Sequence, residues 1–168
     1  MVSDATKNAP VSEALVPPEA LSQHVWSLLE QVPDPEIPVI SVVDLGIVRS
    51  VRMEGATAHV TLTPTYSGCP ATRAIEQSVR EHLERHGIST CLQTTFTPPW
   101  TTDWITPQAR ERLRDYGITP PEPRSGPIPC PFCSSSETRL QSEFGSTPCK
   151  ALHFCKACLQ PFEQFKCV

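Results

Sequence analysis

With 168 residues the chain has room for one or two small domains. Its charged fraction of 19% falls below the roughly 25% of typical soluble domains, and its 19 prolines make up about 11% against a usual ~5%. The formal charge of −4 argues against a general nucleic-acid binder, which carries a basic stripe, and no run nears the ~18 apolar residues a membrane helix needs. The first residues (MVSDATKNAPVSEALVPPEA) hold no apolar core of a secretory signal, so the cytoplasm is the expected compartment. There, eight cysteines point to metal ligands or reactive thiols rather than disulfides.

Residues 1–20 are polar and read as a mobile tail. From Leu21 the pattern turns helical: Leu21, Val25, Leu28, Leu29 and Val32 lie on one face, and Pro33 ends it. The stretch Pro33–Gly46 holds three prolines and reads as a loop with a turn at Val43–Gly46. Ile47–Met53 and Thr57–Thr63 read as strands around a Glu54-Gly55 turn, with Ala58, Val60 and Leu62 inward. A loop over Pro64–Cys69 leads to a helix from Pro70 to about His86, with Ala71, Ile75, Val79 and Leu83 inward, and a third strand covers Ser89–Phe96. The order α-β-β-α-β implies an α+β fold with a parallel strand pair and helices on one sheet face. Thr106 and Pro107 are suited to N-cap and N1 of a short helix ending near Tyr116. This first domain is expected over 21–118. Thr119–Pro129, with five prolines, reads as a stiff extended linker.

The tail, 130–168, holds six of the eight cysteines. Cys130-Pro-Phe-Cys133 and Cys155-Lys-Ala-Cys158 are two C-x₂-C pairs with 21 residues between them. Two tight turns of this kind aim four thiolates at one ion, the usual structural zinc arrangement. The segment between them suits a hairpin, Thr138–Phe144 and Ala151–Phe154 around Gly145-Ser146, with Phe162 and Phe165 beside the metal. A module this short buries too little apolar surface to fold alone, so ligation must supply much of its stability. A single iron, or a cluster that also takes Cys149 or Cys167, is the competing chemistry. Cys149 and Cys167 otherwise read as buried thiols, alternate ligands or a transient pair, burial first. His153 reads as a strand residue before a ligand. Four basic side chains face three acidic ones here, too even a balance for phosphate-driven binding, so a protein-docking ribbon is expected.

Cys69 stands where a loop becomes a helix, with Pro70 placed for N1, so it reads as the N-cap or close to it. Unpaired N–H groups at a helix start favour a thiolate. A small capping residue without chemistry is the plain alternative. Asp34, Glu36 and Asp44 flank the same sheet end. They either cap N–H groups, which spacing favours, or bind a cation with Cys69. Cys91, mid-strand, reads as a buried core thiol. Trp100 and Trp104 form either a partner-facing patch or packing for the segment after the sheet. No Ser-His-Asp order, H-E-x-x-H or Gly-rich phosphate loop is present, so no catalytic set emerges.

Asp34-Pro-Glu-Ile-Pro-Val39, Val43-Asp-Leu-Gly-Ile-Val48, Thr61-Leu-Thr63 and Gly68-Cys-Pro70 resemble the SufT-like α+β domain of iron–sulfur assembly and targeting factors. Joined to Cys130–Cys133, Glu143–Ala151, Cys155–Cys158, Pro161-Phe162 and Phe165-Lys-Cys167, the whole is similar to the PaaD family, the D subunits of phenylacetyl-CoA epoxidase systems in aerobic phenylacetate degradation. The resemblance covers about 21–168, and the pairing of the two halves is what makes it specific. It implies a zinc ribbon ligated by Cys130, Cys133, Cys155 and Cys158. It also implies a maturation domain whose functional thiol is Cys69, supported by Asp34, Glu36 or Asp44, with transient iron or an iron–sulfur cluster as cargo. The implied partners are the oxygenase and reductase subunits, with no nucleic acid and no membrane. A stoichiometric structural or electron-transfer subunit is the rival reading. A homodimer through the sheet edge is left open.

Overall fold

The computed structural model describes residues 18–121 and 126–166. Most of the expected tail, the middle of the Pro-rich stretch and Cys167 lie outside the described residues. Helix α1 spans Pro18–Leu29, starting before Leu21 because Pro18 and Glu19 suit a first helical turn. Its buried side, Val25, Leu28 and Leu29, continues into Val32.

Strands β1 (Val48–Glu54) and β2 (Thr57–Leu62) pair antiparallel, and helix α2 (Thr72–Arg85) leads to β3 (Ser89–Thr94). The sheet order is β1-β2-β3, and β2 and β3 are parallel from Thr57↔Ser89 to Leu62↔Thr94. Ala58, Val60 and Leu62 turn inward against Ile75, Val79 and Leu83 of α2. The expected αββαβ layer is thus present. Cys91 departs from expectation: it pairs with His59 and is exposed, because the two-residue period of β3 puts Leu92 inward and Cys91 out.

After β3 the chain returns across the layer through a 3₁₀ turn (Thr102–Trp104) and helix α3 (Pro107–Asp115). Thr106 caps α3 by accepting from Ala109 N–H at 3.1 Å. Trp100 is buried, and its indole N–H donates to the Leu45 carbonyl at 2.8 Å. The Arg49 guanidinium lies 3.3 Å over the Trp104 ring. Both tryptophans are packing residues. Gly46, at φ +69°, admits this close approach, since a Cβ there would lie 2.6 Å from Trp104 Cβ.

The second sheet has the order β4-β7-β6-β5, with β4 Ile118–Thr119, β5 Thr138–Ser142, β6 Lys150–Cys155 and β7 Pro161–Phe165. The stretch expected as a linker from Thr119 therefore begins inside a strand. Ile118 and Thr119 pair parallel with Glu163 and Gln164, and 118–121 are buried. Two residues are too few to show a period, so only the free edge of β7 reveals this strand. The Arg110 guanidinium holds the run in place by donating to the Pro121 carbonyl.

One apolar cluster spans both sheets. It takes Ile118 and Phe165 from the second and α1, α2 and the β-layer from the first. The Phe165 ring lies 6.1 Å from that of Trp100. Of the two phenylalanines expected beside the metal, only Phe162 joins Cys130 and Cys155, while Phe165 is the plug between the sheets. Phe165→Ala should lower stability by about 3–5 kcal/mol, the usual cost of emptying a buried aromatic site. Urea unfolding of the zinc-loaded protein measures it. A cost below ~1 kcal/mol would contradict the shared core.

Candidate functional site

Two sulfur centres form, and their geometries differ. The first lies at one end of the second sheet. Ser134 N–H donates to the Cys130 carbonyl at 2.9 Å, and Cys155 N–H donates to the Gln160 carbonyl at 2.9 Å, so each C-x₂-C pair closes as a tight turn. Ser134 (φ 61°) and Leu159 (φ 59°) take the left-handed conformation that ends each turn. The four ligand sulfurs of Cys130, Cys133, Cys155 and Cys158 lie within 4.8 Å of one another, with Cys130–Cys158 at 3.7 Å and Cys133–Cys155 at 3.6 Å. A tetrahedral ion with metal–sulfur bonds of ~2.3 Å needs sulfurs about 3.8 Å apart, so the four fit one zinc ion. His153 is not among them. Its ring stacks on Phe162 at 5.4 Å and shares a hydrogen bond with Gln164 Oε1, as a strand residue should.

The second centre sits where the two sheets meet. Asp34 opens the loop after α1, and its Oδ1 accepts from the N–H groups of Glu36 and Ile37, each at 2.8 Å. Pro35 and Pro38 stiffen the loop. Burial pushes the Asp34 carboxyl above the ordinary carboxylate range, against the pull of those two N–H groups and of Lys150. Glu36 is raised too, by partial burial and then by the Asp34 charge, with Lys150 opposing. A small cavity is lined by Asp34, Glu36, Cys69 and Cys149. Cys69 is half-buried in the turn before α2.

The capping expectation for Cys69 needs correction. α2 begins at Thr72 with Ala71 as its N-cap, so Cys69 stands one short turn earlier. Its carbonyl, not its thiol, serves the helix start, accepting from Thr72 N–H at 3.3 Å and Thr72 Oγ1 at 2.9 Å. Cys69 itself lines the cavity.

Asp44 does not join this centre. One oxygen accepts from Ser41 N–H and Oγ, each at 2.9 Å, and the other pairs with Arg112 at 2.6 Å and takes Thr106 Oγ1 at 3.3 Å. It ties the 41–46 turn to α3. Of the three acidic residues, capping and cavity lining thus coincide in Asp34, Glu36 lines the cavity, and Asp44 braces the scaffold.

Cys149 is the residue that spacing misplaced. It precedes β6, half-buried, with Thr147 Oγ1 at 3.1 Å from its sulfur and Glu36 Oε2 at 4.0 Å. Burial pushes its thiol up, Thr147 pulls it down, and Glu36 adds to the rise. Tyr66, in the loop before Cys69, has its hydroxyl raised by burial and then by the charges of Cys69, Cys149 and Glu36. Nothing in local periodicity marks Cys149 or Tyr66. The one available signal was the resemblance of the 143–151 segment. Cys149 is held there by a backbone clamp, Lys166 N–H to its carbonyl at 2.9 Å, and by the buried Lys150–Glu163 ion pair at 2.8 Å.

A family model described as an iron–sulfur cluster assembly protein matches residues 22–87, and one described as the PaaD zinc beta ribbon domain matches 119–166. The chain is 48% identical over 163 residues to an Escherichia coli (strain K12) protein provisionally named as the D subunit of 1,2-phenylacetyl-CoA epoxidase, covering 92% of this chain and 96% of that one. The chain belongs to the PaaD family. It is also 37% identical to the Bacillus subtilis (strain 168) Fe-S protein maturation auxiliary factor YitW, over 56% of this chain and 95% of that one. A crystal structure of a DUF59 domain from Bacillus anthracis superposes with TM-score 0.54 at 28% identity, covering 57% of this chain and 93% of that one. This PaaD-family chain is thus a DUF59-type α+β layer followed by a four-cysteine zinc ribbon. Among the described residues, no helix is long and apolar enough to cross a membrane.

Two outcomes follow from this geometry. Stripping the ribbon with a strong chelator should unfold the second sheet, because its own apolar cluster is only Cys130, Cys155 and Phe162 with Ile128 and Cys158 against them. Far-UV circular dichroism before and after chelation, and after zinc is restored, measures the change. An unchanged spectrum would contradict a metal-held ribbon. Asp34→Asn keeps the acceptor for Glu36 and Ile37 N–H but removes a buried charge. Because the native carboxyl is raised, the parent loses stability as pH rises through the carboxylate range, and the variant does not. In urea at pH 7 the variant should be at least as stable as the parent, and any advantage should vanish as pH falls below that range.

Proposed function

We propose that this chain is a non-catalytic maturation factor for the metal centres of a phenylacetyl-CoA epoxidase, acting in the cytoplasm, where thiols stay reduced. Cys69 is the functional thiol. It takes iron or an iron–sulfur cluster transiently and passes it to an oxygenase or reductase subunit. Asp34 and Glu36 support it, and Asp44 holds the loop in place. Zinc is the structural ion of Cys130, Cys133, Cys155 and Cys158, and the ribbon docks the client. The observation that carries this reading is the half-buried Cys69 beside the Asp34 and Glu36 carboxylates in one cavity. Thiolate and carboxylate together are ligands iron accepts. The domain that holds them is the part that resembles proteins named Fe-S protein maturation auxiliary factors, from Bacillus subtilis and Porphyromonas gingivalis.

The name of the Escherichia coli relative, which makes it a subunit, favours a second reading, a stoichiometric part of the epoxidase. Purification of the active epoxidase separates the two. The maturation reading expects this chain in far less than stoichiometric amount, and the subunit reading expects it in every active complex. For Cys69 itself, Cys69→Ser co-expressed with the oxygenase and reductase should lower their iron content and activity by at least about tenfold, the lower end of what losing even an outer-shell partner of a metal costs. Unchanged iron loading would remove Cys69 from the function.

A further inference from the structure

We propose that Cys149 of the ribbon is a ligand of the same centre as Cys69, so that the two thiols and the Glu36 carboxylate form an open site for one thiophilic divalent cation, ferrous iron in the cell. The inference rests on the reading of Cys69 as the functional thiol and adds a second domain to it.

Three separate chain segments reach one cavity: the 34–36 loop after α1, the turn at Cys69 before α2, and the segment between β5 and β6 that carries Cys149. The enclosed space holds about one water-sized body, which suits a single ion better than a cluster of irons. Apart from Asp34 and Thr65 the remaining wall is apolar, with Ile37, Ile47, Ile75 and Phe165 among its residues. The Cys149 sulfur lies 4.0 Å from Glu36 Oε2. An ion that binds sulfur at ~2.3 Å and oxygen at ~2.1 Å in tetrahedral geometry holds such a pair about 3.6 Å apart, a closure of a few tenths of an ångström. The nearby cation, Lys150, makes its direct ion pair with Glu163 at 2.8 Å and offsets the charge of the cavity only from a distance.

Openness sets this centre apart from the ribbon. Among the described residues, only the four ribbon cysteines bring three or more ligand atoms within 4.8 Å of one another. The ligand atoms of Cys69, Cys149 and Glu36 are not all within that distance, so the site closes around its ion on binding and reopens on release, which is what transfer requires. On binding, each thiol gives its proton to solvent and ligates as thiolate, with no change of oxidation state.

The test uses the full-length, zinc-loaded protein without oxygen, titrated with Co²⁺ as the probe, with zinc content measured throughout. The parent should take up one Co²⁺ beyond its zinc and show near-ultraviolet sulfur-to-cobalt charge transfer. Cys149→Ser should bind more weakly and keep about half that intensity, because one thiolate remains of two. Cys69→Ser should behave the same way, Glu36→Gln should weaken binding at unchanged intensity, and Cys91→Ser, on the outer sheet face, should match the parent. Absence of Co²⁺ uptake by the parent, or parent-like intensity in Cys149→Ser, overturns the two-thiol site. If Cys149→Ser loses its zinc, Glu36→Gln decides: unchanged affinity overturns the site. Parent-like Cys149→Ser with impaired Cys69→Ser leaves the Cys69 reading standing alone. Parent-like behaviour in both removes both.

Discussion

Phe165, set against Trp100, is the contact on which the second centre depends. It belongs to β7, the strand that pairs with both β4 and β6, so its burial in the α+β core seats the whole second sheet. The ribbon has little apolar surface of its own and keeps its strands in register through four cysteines at the far end. Metal ligation at one end and aromatic burial at the other therefore act in series. Together they determine where the segment from Gly145 to Lys150 lies, and with it Cys149. The Glu163 carboxylate accepts from Ser146 N–H and Oγ and pairs with Lys150, which ties this segment to β7.

The two sulfur centres illustrate opposite uses of the same atom. In the ribbon, two tight turns bring four sulfurs to distances one ion spans without adjustment, and the result is closed. At the seam, Cys69, Cys149 and Glu36 line one cavity from segments that belong to different sheets. Burial raises Asp34, Glu36 and Cys149, and neighbouring acidic charge adds to the rise at Glu36 and Cys149, so the empty centre is costly to charge. Asp34 joins the two roles, since the oxygen that caps the loop also sets the Glu36 side chain at the cavity. Asp44 shows the contrast: it spends its charge on Arg112 and holds the scaffold.

What the chain's residues determined by themselves was local and periodic. The inward faces of α1, β2 and α2, the cap at Thr106 and the paired C-x₂-C turns all follow from spacings within a few residues, and each is present. The family resemblance likewise rested on short contiguous motifs. Tertiary structure decided whatever depends on contacts between distant segments. Cys91 faces outward because the register of β3 against β2 sets its side, and a strand's face is not visible from a lone cysteine within it. β4 exists only because β7 offers an edge to Ile118 and Thr119. Phe165 left the metal for the core because β7 runs back beneath Trp100. Cys149 reached Glu36 across 113 residues of sequence. Spacing records neighbours along the chain, whereas a site at a seam is made by burial that brings the ends of separate elements together.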